Sequence, residues 1–244
     1  LARSDSRGGF LGLIAVGGAL LFLLKRVSVA KRLTAVAVVV VGVILMAPQG
    51  YWDQMRTLTQ PTEDYNWTDP YGRRAIAKRG LGYMMSHPVT GVGLGNFGRA
   101  EWKLSDIARQ RQRAGQGFRL TAAHNSFLQV GAELGLPGLV VFCILVFGTP
   151  IGLIRLQTKL AGTLRERGPP EQFLEDMARF LPVAFLGFAV TGFFVSWAYL
   201  DLIYFLAGLA AGLRVSLRPI SGRSRVDSSA AQAGIYDRVR RERP

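Results

Sequence analysis

Residues 134–156 read LGLPGLVVFCILVFGTPIGLIRL, an apolar run broken by no charge until Arg155. The hydrocarbon core of a bilayer takes roughly 20 mostly apolar residues in one helix. Lipid offers no partner for an open backbone group, so a helix is the form such a run takes there. Pro137 near its start and Pro150 within it predict a kink or a late start. Four further runs flank it: Phe10–Leu24 and Leu33–Ala47 before, Phe180–Tyr199 and Leu202–Leu213 after. Val39, Val40 and Val41 would suit a buried strand in a soluble protein. The length of their run and its basic flanks favour a short spanning helix, ended by Pro48 and Gly50. The last two runs are separated by little more than Leu200 and Asp201, which predicts a tight helical hairpin that Val215 and Leu217 can extend. The expected fold class is all-α: a polytopic transmembrane bundle, about five spanning helices, and one large external loop containing surface helices.

The bulk composition fits. The 244 residues are 49% hydrophobic, and the apolar residues come in blocks, not in amphipathic patterns. The formal charge is +14, which in a soluble chain would suggest nucleic acid. Here the basic residues sit in short blocks between apolar runs, which suits membrane topology and anionic lipid or pyrophosphate ligands better than a DNA-binding face. Cys143 is the single cysteine and lies inside an apolar run, which excludes an internal disulfide framework and a cysteine-based zinc site. The chain starts at Leu1 without the ordered parts of a signal peptide, and is expected to be a fragment with further membrane segments upstream.

Basic residues in short loops mark the cytoplasmic side. Lys25, Arg26, Lys31 and Arg32 therefore face inward, and five crossings place 49–123 outside and 157–176 inside. Arg155, Lys159, Arg165 and Arg167 fit that assignment, as do Arg214, Arg218, Arg223 and Arg225. The orientation rule loses force for loops beyond roughly 60 residues, so the basic character of 49–123 does not contradict it. A membrane domain is expected over 1–217, with 49–123 as its external loop. A basic cytoplasmic tail over 218–244, rich in Arg, Ser and Ala, is expected to be disordered.

The chemistry concentrates in the external loop. Residues 51–123 hold eleven basic and six acidic side chains. Arginine suits phosphate because its planar fork donates two parallel hydrogen bonds and keeps its charge. From Arg73 to Leu81 the spacing suits an amphipathic helix at the membrane surface. His124 and His87 are the two histidines. A neutral imidazole can serve as general base, since its pKa lies near ambient pH. For His124 the bland alternative is a helix-capping or interfacial residue; His87, before Pro88, reads as a helix end. Gly91, Gly93 and Gly95 resemble a phosphate-binding loop, but no nucleotide-fold context surrounds them, and a tight turn is the better reading. The basic run Arg109, Arg111, Arg113 and Arg119 is, taken alone, an ordinary solvated loop.

Three ordered motifs resemble the Wzy_C region shared by O-antigen ligases and by O-antigen and exopolysaccharide polymerases. They are Ser6-Arg7-Gly8-Gly9 before a spanning helix; Gly72-Arg73, then His87-Pro88 and Gly91-Val92-Gly93; and His124-Asn125-Ser126-Phe127-Leu128 running into Glu133-Leu134-Gly135. The resemblance covers roughly residues 4–213. It implies an all-helical inner-membrane enzyme of about a dozen crossings, with its active site on the periplasmic face. It implies inverting, metal-independent transfer of a glycan from undecaprenyl diphosphate, in ligases to a sugar hydroxyl of the lipid A core. By motif match Arg7 and Arg73 would hold the diphosphate and His124 would activate the acceptor hydroxyl, with Arg74 and Asn125 as further substrate-binding candidates. The family often carries an aromatic four residues after the Arg73 position; here it is Ala77, which leaves Arg74 as a rival for that role. For Arg7 the alternative is an interfacial arginine that snorkels to headgroups.

No metal or other cofactor is expected. The partners implied are the lipid-linked glycan, a lipid A-core or growing-glycan acceptor and the membrane, without nucleic acid. A polymerase using the same donor is the alternative enzyme. A non-enzymatic transporter of that lipid is the alternative class, and it would need charged groups in mid-membrane.

Overall fold

The computed structural model describes residues 7–23, 27–46, 69–117, 121–160 and 169–217. The expected cytoplasmic tail over 218–244 and the first part of the external loop, 49–68, lie outside the described residues. Among those described, the fold is all-helical. In chain order the helices are α1 (Arg7–Leu23), α2 (Val29–Met46), α3 (Arg73–Ser86), α4 (Phe97–Leu104), α5 (Asp106–Arg113), α6 (Ser126–Cys143), α7 (Thr149–Leu160) and α8 (Pro169–Gly192). A ninth, α9, runs over 201–217.

Each expected apolar run lies within or overlaps a helix. α6 passes through a π turn, Ile144–Gly148, into α7. There the Thr149 N–H reaches back five residues to the Ile144 carbonyl. This wider turn is the form taken by the irregularity expected at Pro150, because proline has no N–H to continue the ordinary ladder. The helical stretch Ser126–Thr158 is long and apolar enough to cross a membrane, and the apolar helix Gly8–Leu23 is shorter. Large apolar side chains on α2 and α6, including Val39, Val41, Leu45, Val140 and Val141, are exposed. A surface of that composition calls for an apolar surrounding.

The second expected irregularity, at Pro137, is centred two residues earlier. Gly135 has φ 70° and ψ −170°, far from helical, and α6 bends there. Residues 88–93 repair the broken ladder. Pro137 leaves the Glu133 carbonyl without its helical donor, and the Gly93 N–H takes it at 2.9 Å. Leu136 N–H turns away to the Pro88 carbonyl, 2.7 Å, and the Ala132 carbonyl so freed accepts from Val92 N–H at 2.9 Å. The two backbones approach so closely that only glycine fits. A Cβ on Gly91 would lie 2.3 Å from the Glu133 carbonyl carbon, and one on Gly135 would lie 2.6 Å from the Pro88 oxygen. From Leu136 to Leu156 the helix spans roughly 30 Å at 1.5 Å per residue, about one hydrocarbon thickness.

Two cores result. The larger joins α6 and α7 to α8 and α9 through Phe127, Phe142, Leu153, Phe185, Ile203 and Leu213. The smaller seats α3 and α4 on the start of α6 through Ile76, Tyr83, Phe97 and Ala132. α1 packs on α8 through notches of small residues: a Cβ on Gly12 would meet Thr191 Oγ1 at 2.7 Å, and one on Gly187 would meet Val16 Cγ2 at 2.8 Å.

The expected hairpin at Leu200–Asp201 is corrected. α8 ends at Gly192, and residues 193–200 form an irregular connection before α9. The apolar residues Phe193, Val195 and Trp197 read as helix in sequence. Their backbone and rings are instead bound to the start of α6, as the site geometry makes clear.

Candidate functional site

α6 begins with a conventional cap and an unconventional neighbour. Asn125 is extended, and its Oδ1 accepts the Leu128 N–H at 2.9 Å. His124, just before it, has φ 51°, and among the described residues it is the non-glycine residue with positive φ. That left-handed conformation disfavours a side chain, and such residues gather at functional sites. A long-range contact holds it: the His124 N–H donates to Ser196 Oγ at 2.8 Å. Next to it, the buried Ser126 hydroxyl donates to the Val195 carbonyl at 2.7 Å and accepts the Trp197 N–H at 2.9 Å. Phe193 stacks on Phe127, ring centroids 4.5 Å apart. The 193–197 segment is thereby fixed to the first turn of α6, which is why α8 stops short.

The same segment meets the start of α1. A Cβ on Gly8 would lie 2.4 Å from Phe194 Cβ, so the two backbones are nearly in touch. Arg7 precedes Gly8 at the start of that helix. Its side chain is not among those described.

Arg73 comes from the other side, as the first residue of α3 after the Gly72 cap. That first turn has no acidic residue and no side-chain cap. The helix dipole and the guanidinium are both positive there, an arrangement that favours an anion. The Arg73 charge reaches His124: the imidazole pKa is lowered from its ordinary value by desolvation and then by the Arg73 guanidinium. Arg74 is exposed alongside.

α3 is held in place by a buried ion pair. Arg79 grips Glu101 of α4 with Nε 2.9 Å from Oε1 and Nη2 2.8 Å from Oε2, while the Tyr83 hydroxyl donates to Oε1 at 2.9 Å. The glycine loop is fixed by a second buried carboxylate. Glu133 accepts the Gly95 N–H at 2.9 Å and the Phe97 N–H at 3.0 Å. Gly91, Gly93 and Gly95 have φ of 64°, 96° and 70°, the left-handed values that call for glycine. All three of their N–H groups bond within the protein, to the His87 carbonyl, the Glu133 carbonyl and the Glu133 carboxylate. They form a tight turn, and no cradle of N–H groups is left for a phosphate. His87 closes α3, its N–H on the Tyr83 carbonyl at 3.1 Å.

The Arg73 charge thus bears on His124, and the start of α1 lies against the 193–197 segment that holds the His124 backbone. Asn125 follows His124 with its Oδ1 engaged in capping. Sequence reasoning missed Ser126, Ser196, Glu101 and Glu133 as the groups that hold this geometry. Ser126 was visible inside the His124-to-Leu128 motif; its partners, some 70 residues away, carry no local signal.

A helical, membrane-associated protein with a cationic segment between its apolar helices, and a histidine under the influence of an arginine, is the class these features define. The family model described as O-Antigen ligase (Wzy_C) matches residues 1–143, and the chain belongs to that family. The match takes in all three motifs and ends within α6, short of the expected 213. It points to a membrane glycosyltransferase of ligase or polymerase type. No curated protein and no solved structure matches the chain.

Proposed function

We infer that this chain carries the transfer site of a membrane enzyme that moves a glycan from undecaprenyl diphosphate to a sugar hydroxyl of the lipid A core. The observation that carries the reading is a His124 with left-handed backbone whose pKa is lowered by burial and then by the Arg73 charge. A neutral imidazole can accept the proton of an acceptor hydroxyl as the oxygen attacks the anomeric carbon. Attack comes from the face opposite the leaving group, so the configuration inverts. The bond to the diphosphate breaks, and Arg73, with Arg7 from the start of α1, meets the negative charge that grows on it. Asn125 and Arg74 flank the site as further binding groups. A diphosphate is already a good leaving group, so the residues named supply the proton acceptor and the charge stabilisation without a metal step.

Five crossings, with 49–123 on the periplasmic side of the inner membrane, complete the reading. The long apolar helix, the bilayer-compatible surface of α2 and the basic blocks at Lys31–Arg32 and Arg155 support it. A polymerase would use the same residues with a growing glycan as acceptor.

Complementation of a ligase-deficient strain with the full-length gene tests the assignment. His124→Ala and Arg73→Ala are expected to lose all lipopolysaccharide banding above the core while the protein remains in the membrane. Retained single-repeat product with lost long chains would make it a polymerase. Normal ladders in both variants refute the catalytic roles.

A further inference from the structure

The external segment exposes more apolar surface than an aqueous loop tolerates. Leu81 is 50% exposed, Met85 63%, Val89 70% and Leu94 63%. Leu81 and Met85 lie four residues apart on one face of α3, and Lys78, also exposed, continues that face toward the helix start. Val89 and Leu94 follow in the turn after α3.

Their height relative to the bilayer is fixed by α6. The Pro88–Val89 backbone packs directly on Gly135, and Leu136 N–H donates to the Pro88 carbonyl at 2.7 Å. Leu136 opens the lipid-length part of the helix, and Val140, one turn further, is 56% exposed. Val89 therefore sits at the outer edge of the apolar belt that continues through Leu136 and Val140. Side chains at this level meet headgroups and the upper acyl chains, not bulk water.

We propose that residues 81–94 form a lipid-inserted wedge, a surface that docks on the outer leaflet of the same bilayer that α6 crosses. Met85, Val89 and Leu94 enter the acyl boundary, and Lys78 reaches phospholipid phosphates at the interface. The partner is the phospholipid surface itself. The wedge would seat the Arg73–His124 pair at headgroup height, where the diphosphate of a lipid-linked substrate lies. The inference rests on α6 spanning the membrane, and it stands apart from the catalytic roles.

Spin labels read the contact directly. A cysteine-free form of the full-length protein, with Cys143→Ser and every other cysteine likewise replaced, reconstituted in phosphatidylethanolamine–phosphatidylglycerol vesicles, would carry single labels at Met85→Cys, Val89→Cys or Leu94→Cys. Val140→Cys reports the spanning helix, and Arg113→Cys on α5 reports solvent. Relative accessibility to oxygen over a water-soluble nickel complex is expected to be several-fold higher at 85, 89 and 94 than at 113, and higher still at 140. Leu81→Cys replaces any wedge variant that fails to fold. A lipid-like value at 140 with water-like values at all wedge positions overturns the wedge alone. Low accessibility to both reagents at the wedge means that protein covers it, and overturns the proposal too. A water-like value at 140 removes the spanning reading and the wedge with it.

Discussion

Replacing Gly135 by alanine tests the bent junction between α6 and residues 88–93. At φ 70° and ψ −170° the backbone occupies a region that is essentially glycine-only, and holding a side chain there costs about 1–3 kcal/mol. The added methyl would also lie 2.6 Å from the Pro88 oxygen and 2.7 Å from the Val89 carbonyl carbon, both backbone atoms with little freedom to withdraw. Moving them breaks the Leu136-to-Pro88 hydrogen bond and strains the Val92 and Gly93 bonds, at about 1 kcal/mol each. Straightening the helix is no escape, because the Pro137 ring would then strike the Glu133 carbonyl. The sum is a loss of roughly 3–5 kcal/mol. Gly82→Ala is the internal control. Gly82 sits in the middle of α3 with open space where a Cβ would go, so alanine there should stabilise by up to about 1 kcal/mol. Thermal unfolding of the purified protein in detergent, followed by thiol-reactive dye or by loss of monodisperse elution, should move down by roughly 6–20 °C for the first variant, at about 2–4 °C per kcal/mol. It should hold or rise slightly for the second. A Gly135→Ala protein melting within 2 °C of wild type would refute the account of the junction.

Ser126→Ala removes the hydroxyl between Val195 and Trp197 and leaves a buried N–H without its acceptor, an expected loss of about 1–3 kcal/mol in unfolding experiments, with weakened glycan transfer. Because burial and Arg73 hold the His124 pKa below its ordinary value of 6.5, the acid limb of the transfer rate should lie below pH 6.5. Arg73→Gln should move that limb upward in whatever activity survives, as read from the pH profile of transfer in membranes. The sign for stability follows from the same shift. The folded state favours neutral His124, so its contribution is intact above pH 6.5 and is lost as pH falls toward the lowered value. Glu101→Ala strips Arg79 and Tyr83 of their shared partner and leaves a half-buried cation; breaking such a pair costs roughly 3–5 kcal/mol, measurable as a lowered melting temperature.

Much of the architecture was legible because a bilayer imposes a simple rule on composition. Phe10–Leu24, Leu33–Ala47 and Leu134–Leu156 each overlap a helix in the structure. Gly91, Gly93 and Gly95 read correctly as a turn, since three closely spaced glycines mark backbone angles other residues avoid. The connection at 193–200 was not legible. Phe193, Val195 and Trp197 are as apolar as a helix interior, and nothing local tells that Ser126 and Phe127 compete for them. The smaller core around α3 and α4 was hidden for a similar reason. Arg79 and Glu101 stand 22 positions apart in a stretch crowded with charge, and only folding selects that pair over the others. For the site, His124 and Arg73 came from motif and charge. The effect of the Arg73 charge on His124, and the left-handed backbone at His124, required the fold.

The clasp between Ser126 and residues 195–197 reaches beyond the family match, which stops at residue 143. Evolutionary signature and mechanical unit therefore have different borders. A shortened chain cut at the border of the signature would keep every motif and discard Ser196, the group that fixes the His124 backbone. Anyone grafting this site onto another scaffold, or trading halves between relatives, should carry the C-terminal hairpin along with the motifs it never appears in.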